Sequence, residues 1–156
     1  MRVRRGFTII EILVVMAIIG ILSTIATASL LSAREGARIA KARHDIDAIV
    51  SAVKGLENDT GEWPGHQEVE KITTAGTNEI WDLSAPAAGL AGTDGNFPGW
   101  NGPYIGNLPK DPWGQNYFWD SDYQVGGVDR VVVGSFGPNK VGPNLYDSDD
   151  IYKIIR

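Results

Sequence analysis

The chain has 156 residues, which allows one small core and a long additional element but not two full domains. Its 14 Lys+Arg against 19 Asp+Glu give a formal net charge of -5, so no basic surplus is available to grip a phosphate backbone, and nucleic acid is excluded as the main partner. Cysteine is absent, which rules out disulfides and thiolate metal sites and leaves a bound metal ion as one candidate staple for so small a domain.

Residues 1–6 form a short basic segment in which Arg2, Arg4 and Arg5 precede Gly6; a cut after Gly6 would take the formal charge from -5 to -8. From Ile12 to Ala33 no residue is charged, a run of 22 positions. At about 1.5 Å per residue it reaches roughly 33 Å, enough to cross a bilayer. Ala26-Thr27-Ala28 has the small-x-small form of a secretory cleavage site, but the apolar run exceeds the roughly 7–15 residues of an ordinary signal peptide. The three leading arginines place the N-terminus in the cytoplasm, while Arg34, Arg38, Lys41 and Arg43 beyond the span pull the other way.

After Ala33 the pattern becomes amphipathic. Ile39, Ala42, Ile46, Ile49, Val50, Val53 and Leu56 recur at three- and four-residue steps, and no proline falls between Phe7 and Leu56. The spacing predicts one helix over 7–58, roughly 75–80 Å long, ended by Asp59-Thr60-Gly61. Its segment 7–33 is the membrane span or filament core and 34–58 its amphipathic continuation. Gly20 and Gly36 are weak points costing about 1 kcal/mol each relative to alanine.

Residues 59–156 read as a globular domain. Gln67–Ile72 and Asn78–Leu83 read as helical turns, and 85–98 as loop. Strands are expected around Asn116–Trp119 and Asp129–Phe136, joined by a turn at Val125-Gly126-Gly127. A Gly-, Pro-, Asn- and Asp-rich loop over 137–150 then leads to a short closing strand at Ile151–Ile155.

Glu11 is the one carboxylate at the head of the apolar run. An unpaired charge in hydrocarbon costs at least about 2.5–3.5 kcal/mol, so Glu11 needs a cation. A cut after Gly6 would supply one as the new α-amino group of Phe7, on the same or an adjacent subunit. At this point the sequence resembles the type IV pilin and pseudopilin superfamily: Gly6-Phe7-Thr8-Ile9-Ile10-Glu11-Ile12 before an apolar helix is similar to the signal cut and N-methylated by prepilin peptidase. The resemblance implies removal of residues 1–6, an N-methylated Phe7, and a docking role for Glu11 in a helical filament. Ala28 departs from the family, many of whose members carry proline there.

Gly102-Pro103-Tyr104-Ile105 and Leu108-Pro109-Lys110-Asp111-Pro112-Trp113-Gly114 look like the signature of the major pseudopilins of type II secretion systems. Physically the stretch supplies rigidity and aromatic area. In the same subfamily the loop after the strands binds calcium, and Asn139, Asp147, Ser148, Asp149 and Asp150 are the matching ligand candidates here, Asp150 being the safest. Asn139 stands where aspartate is common. Hard oxygen donors suit Ca²⁺, whereas composition alone would leave the loop a solvated acidic face.

His44 and His66 have no partners at catalytic spacing, so no enzymatic site is expected. Trp63, Trp81, Trp100, Trp113 and Trp119 admit a carbohydrate-binding reading beside the plainer one of core area. The expectation is therefore an α+β fold, a long N-terminal helix on a small antiparallel sheet, working as a non-enzymatic pseudopilus subunit. The resemblance implies as partners further copies of the chain, prepilin peptidase, an inner-membrane assembly platform and minor pseudopilins. It places the N-terminus in the cytoplasm and the domain in the periplasm. A surface type IV pilin and a secreted carbohydrate-binding module are the alternatives.

Overall fold

The computed structural model describes residues 6–72, 74 and 78–156. The basic stretch 1–5, with Arg2, Arg4 and Arg5, therefore lies outside the described residues. Helix α1 runs unbroken over Ile9–Thr60, within two residues of the expected bounds at each end, and passes through Gly20 and Gly36 without interruption. The chain divides into two compact units, 1–37 and 38–156.

In the first unit the apolar side chains from Ile9 to Leu31 are exposed on every side of the helix. Two of its hydroxyls are turned back onto the backbone: Thr24 Oγ1 donates to the Ile21 carbonyl at 2.7 Å and Thr27 Oγ1 to that of Ser23 at 2.8 Å. Satisfying polar groups within the helix is what a hydrocarbon environment demands.

In the second unit the stripe read from the sequence is the buried face: Ala42, Ile46, Ile49, Val50, Val53 and Leu56 are buried, and Ala52, outside the stripe as read, is buried with them. Ile39 is not among them. Most of these residues join one core cluster with Trp63, Leu83, Leu90, Phe97, Tyr117, Trp119, Val131 and Val133. Burial of each large aliphatic side chain is worth about 1.5–3 kcal/mol, so this stripe is a main attachment of helix to domain. Tyr117 adds a polar tie, its hydroxyl donating to Asp45 at 2.8 Å.

Two short antiparallel strands, β1 (Glu62–Trp63) and β2 (Gln67–Glu68), follow the helix. The helical turn expected at Gln67–Ile72 is thus partly a strand, and the hairpin had no signal in so short a polar run. The helical turn expected at Asn78–Leu83 is also absent: Ile80 bridges Trp119 in extended form, with backbone bonds of 2.9 and 2.8 Å, and Leu83 N donates to Tyr117. Within the loop over 85–98 a single 3-10 turn, Pro86–Ala88, closes on Gly89.

The main sheet is antiparallel in the order β3 (Phe118–Val125), β4 (Val128–Ser135), β5 (Ile151–Ile154). β3 extends six residues past its expected end. The run Asp120-Ser121-Asp122 disguised it, because the ladder shifts register between Asp120 and Tyr123 and so accommodates polar residues in a bulge. The turn is two residues, Gly126 and Gly127, both at positive φ (61° and 80°), as a tight hairpin matched to strand twist requires.

The rigid proline-rich stretch packs at the end of α1. Gly55 lets the Tyr104 ring lie against the helix, since a Cβ there would come within 2.9 Å of it. Tyr104 Oη donates to Asp59 at 3.0 Å, and Trp100 Nε1 to the Gly89 carbonyl at 2.7 Å. Asp111 is buried and accepts from the amides of Trp113 (3.0 Å) and Gln115 (2.8 Å) and from the Ser135 hydroxyl (2.6 Å). Proline alone does not hold this motif; its acid does.

Candidate functional site

The first candidate region is the head of α1. Thr8 is the residue before the helix and Glu11 its third residue, the spacing of a reciprocal cap. Glu11 Oε2 accepts from Thr8 N at 2.8 Å and from Thr8 Oγ1 at 2.9 Å, while Glu11 N reaches Thr8 Oγ1 at 3.3 Å. With Gly6 and Phe7 still joined there is no α-amino group at Phe7, and Glu11 is capped by Thr8 instead. The sequence reading passed over Thr8 although T-x-x-E before an apolar run is a recognisable capping signal.

Two observations bear on Gly6 and Phe7. Phe7 is 84% exposed, with no core to enter. Among the described residues nothing lies within 4 Å of where a Cβ on Gly6 would stand.

The second region is the loop 137–150. Gly137 has φ +66° and a Cβ on it would collide with the Asp149 carbonyl, so the two ends of the loop meet backbone to backbone. Asn139 Nδ2 donates to Asp147 Oδ2 at 2.8 Å, and the Asp149 amide to Asp147 Oδ1 at 2.8 Å. The Asn139 amide and the Asp149 amide hold the Asp147 carboxyl below its usual range. Asp150 is buried; burial raises its carboxyl even though Tyr123 Oη donates to Oδ2 at 2.7 Å. Its Oδ1 is buried with no hydrogen-bond partner.

Asn139, Asp147 and Asp150 thus come together, Asp149 contributes its backbone, and Ser148 is exposed. Among the described residues no three acidic or histidine side chains converge on one point. The tryptophans form no common exposed face: Trp63 and Trp119 are fully buried and pack at 5.3 Å, and Trp113 is nearly buried.

Against known families, a profile described as type II secretion system (T2SS), protein G matches residues 29–151, and one described as the prokaryotic N-terminal methylation motif matches residues 1–27. A type II secretion system core protein G of Klebsiella pneumoniae is 34% identical over 151 residues, covering 97% of this chain and 94% of the relative. One of Vibrio cholerae serotype O1 is 33% identical over 88% of this chain and 84% of its own. In fold, the chain is similar to the crystal structure of the major pseudopilin from the type 2 secretion system of enterohaemorrhagic Escherichia coli, with a TM-score of 0.52 and 24% identity over 79% of this chain and 87% of that one.

Proposed function

Since the chain belongs to the type II secretion system protein G family, a family of structural subunits and not of enzymes, we propose how this pseudopilus subunit is matured, inserted and assembled. It is a membrane-associated building block of the pseudopilus. Prepilin peptidase cuts after Gly6 and Phe7 becomes the N-methylated first residue. The supporting observation is the match of residues 1–27 to the N-terminal methylation motif, with Gly6 and the exposed Phe7 inside it. Purified mature protein should carry methyl-Phe7 at its N-terminus by mass spectrometry, and Gly6→Val should leave the precursor uncut. A mature chain beginning at Ser29 would overturn this reading.

Before assembly the span lies in the inner membrane with residues 1–6 in the cytoplasm and the domain in the periplasm. In the filament the same apolar surface is buried by helices of neighbouring copies, and head-to-tail contacts with helical symmetry build an open filament. The cap on Glu11 keeps the acid tied to Thr8 until the α-amino group of Phe7, in the same or the adjacent subunit, competes for it. An assembly platform and minor pseudopilins are the further partners.

The loop 137–150 would hold calcium. The donor chemistry fits: Asp150 offers a buried oxygen without a partner, and Asn139, Asp147 and backbone carbonyls offer further hard oxygens. Bound calcium would supply the charge that the buried Asp150 lacks and tie the loop to the sheet edge.

A further inference from the structure

The turn between β1 and β2 passes through Pro64, Gly65 and His66, and His66 holds a left-handed backbone conformation, φ 59°, uncommon outside glycine. Its ring ties this turn to a loop 28 residues further along the chain. Nδ1 lies 2.8 Å from Glu62 Oε2 on β1, and Nε2 lies 3.1 Å from Asp94 Oδ2. The ring stacks at 3.9 Å on Phe97, which is buried in the same cluster as Leu56.

Carboxylate oxygens accept and cannot donate, and a neutral imidazole has a single N–H. Both contacts are favourable together only when both nitrogens carry hydrogen, so the geometry selects the imidazolium. Because the two carboxylates sit at opposite ring nitrogens, they do not converge on a common metal position. The charged groups facing the ring are Glu62 and Asp94. The acids at the end of α1 are engaged elsewhere, Glu57 with Trp63 Nε1 and Asp59 with Tyr104 Oη; Glu68 of β2 pairs with Lys71, and the 3-10 turn Pro86–Ala88 is uncharged.

We propose that His66 is a proton-operated clasp: protonated, it pins the 92–97 loop and its buried Phe97 to the β1–β2 hairpin, and loss of the proton releases that loop. Partial burial opposes the charge on the ring, but the bonds to Glu62 and Asp94 outweigh it and hold the imidazole above its ordinary value. Asp94 is held below its own ordinary value, first by the Asn96 amide and then by His66, so it stays ionised across the window that matters. With a raised folded-state value, the clasp is fully closed below the unfolded-state value of about 6.5 and is lost as pH rises through the folded-state one. Release matters for the end of α1, because Gly89 packs between Phe97 and Leu56, and Gly99 sits where a Cβ would lie 3.0 Å from the Asp59 carbonyl.

The test uses the full chain in detergent micelles, which has two imidazoles, His44 and His66, assigned with His66→Gln. By NMR the His66 midpoint should lie above about 6.5 and fall in Asp94→Asn. Amide exchange at Gly95, Asn96 and Phe97, corrected for its intrinsic pH dependence, should accelerate from acid to alkaline pH by about tenfold for each unit by which the midpoint is raised. In His66→Gln that acceleration should vanish. A His66 midpoint at or below the ordinary value, or one unmoved by Asp94→Asn, overturns the clasp. So does loop exchange that accelerates equally without the imidazole. If His66→Gln fails to fold, the titration of wild type against Asp94→Asn still decides.

Discussion

Replacing Asp111 by alanine tests whether the proline-rich turn is held by its acid. The carboxylate is 4% exposed and satisfies three donors, the amides of Trp113 and Gln115 through Oδ1 and the Ser135 hydroxyl through Oδ2. A buried donor left unpaired costs about 1–3 kcal/mol. Ser135 is fully buried and Trp113 nearly so, whereas Gln115 is half-buried and water can reach it, so the loss should be about 3–5 kcal/mol. For a domain whose total stability is about 5–15 kcal/mol, that is a large fraction. Asp111→Asn keeps Oδ1 for both amides and lets Ser135 accept from the new amide, but leaves the Ser135 hydroxyl hydrogen without its acceptor, so it should cost about 1 kcal/mol, the low end for one unpaired donor. Ser135→Ala removes one donor to Asp111 and the acceptor that Gly137 N uses at 3.1 Å, and should fall between, at about 1–2 kcal/mol. Denaturant unfolding of the full chain in detergent measures all three. If Asp111→Ala lies within about 1 kcal/mol of wild type, or Asp111→Asn costs as much as alanine, the reasoning from unpaired donors fails.

If Glu11 meets the new α-amino group as proposed, Glu11→Lys should leave leader cleavage largely intact and abolish filament assembly; normal filaments by electron microscopy would refute the pairing. If calcium binds only the folded state, a hundredfold excess over its dissociation constant adds about 2.7 kcal/mol. Wild type should then melt lower in chelator, and Asp150→Ala should melt at that lower temperature with or without the ion; identical wild-type melting in both buffers would reject the site. Asp120 is fully buried, and burial first, then the neighbouring Asp122 carboxyl, push it up to about 7. The folded state therefore holds this proton more tightly than the unfolded chain, so stability is greatest below roughly 3.9 and declines as pH rises towards the folded-state value. Asp120→Asn should flatten that decline in unfolding experiments across the same range, and an unchanged slope would show that other groups cause it.

The long helix was legible because its information is local and repeated. An uncharged run of bilayer length followed by a 3.6-residue stripe identifies both halves of α1, and six of the seven stripe residues are buried as read. The Gly6–Glu11 motif was legible for a related reason: its meaning concerns molecules outside the chain, so it is written as a linear pattern. The Thr8 cap on Glu11 was legible too, in the T-x-x-E spacing. Other features were decided only in three dimensions. The length of β3 depended on a bulge that lets Asp120, Ser121 and Asp122 sit within a strand, and Ile80 became extended because Trp119 offers it a bridge. His66 looked idle as one residue in a polar run; its role depends on Asp94 and Phe97 arriving from a distant loop. Periodicity and short motifs record what neighbouring residues do together, whereas a bulge, a bridge or a clasp depends on which distant segment the folded core brings alongside.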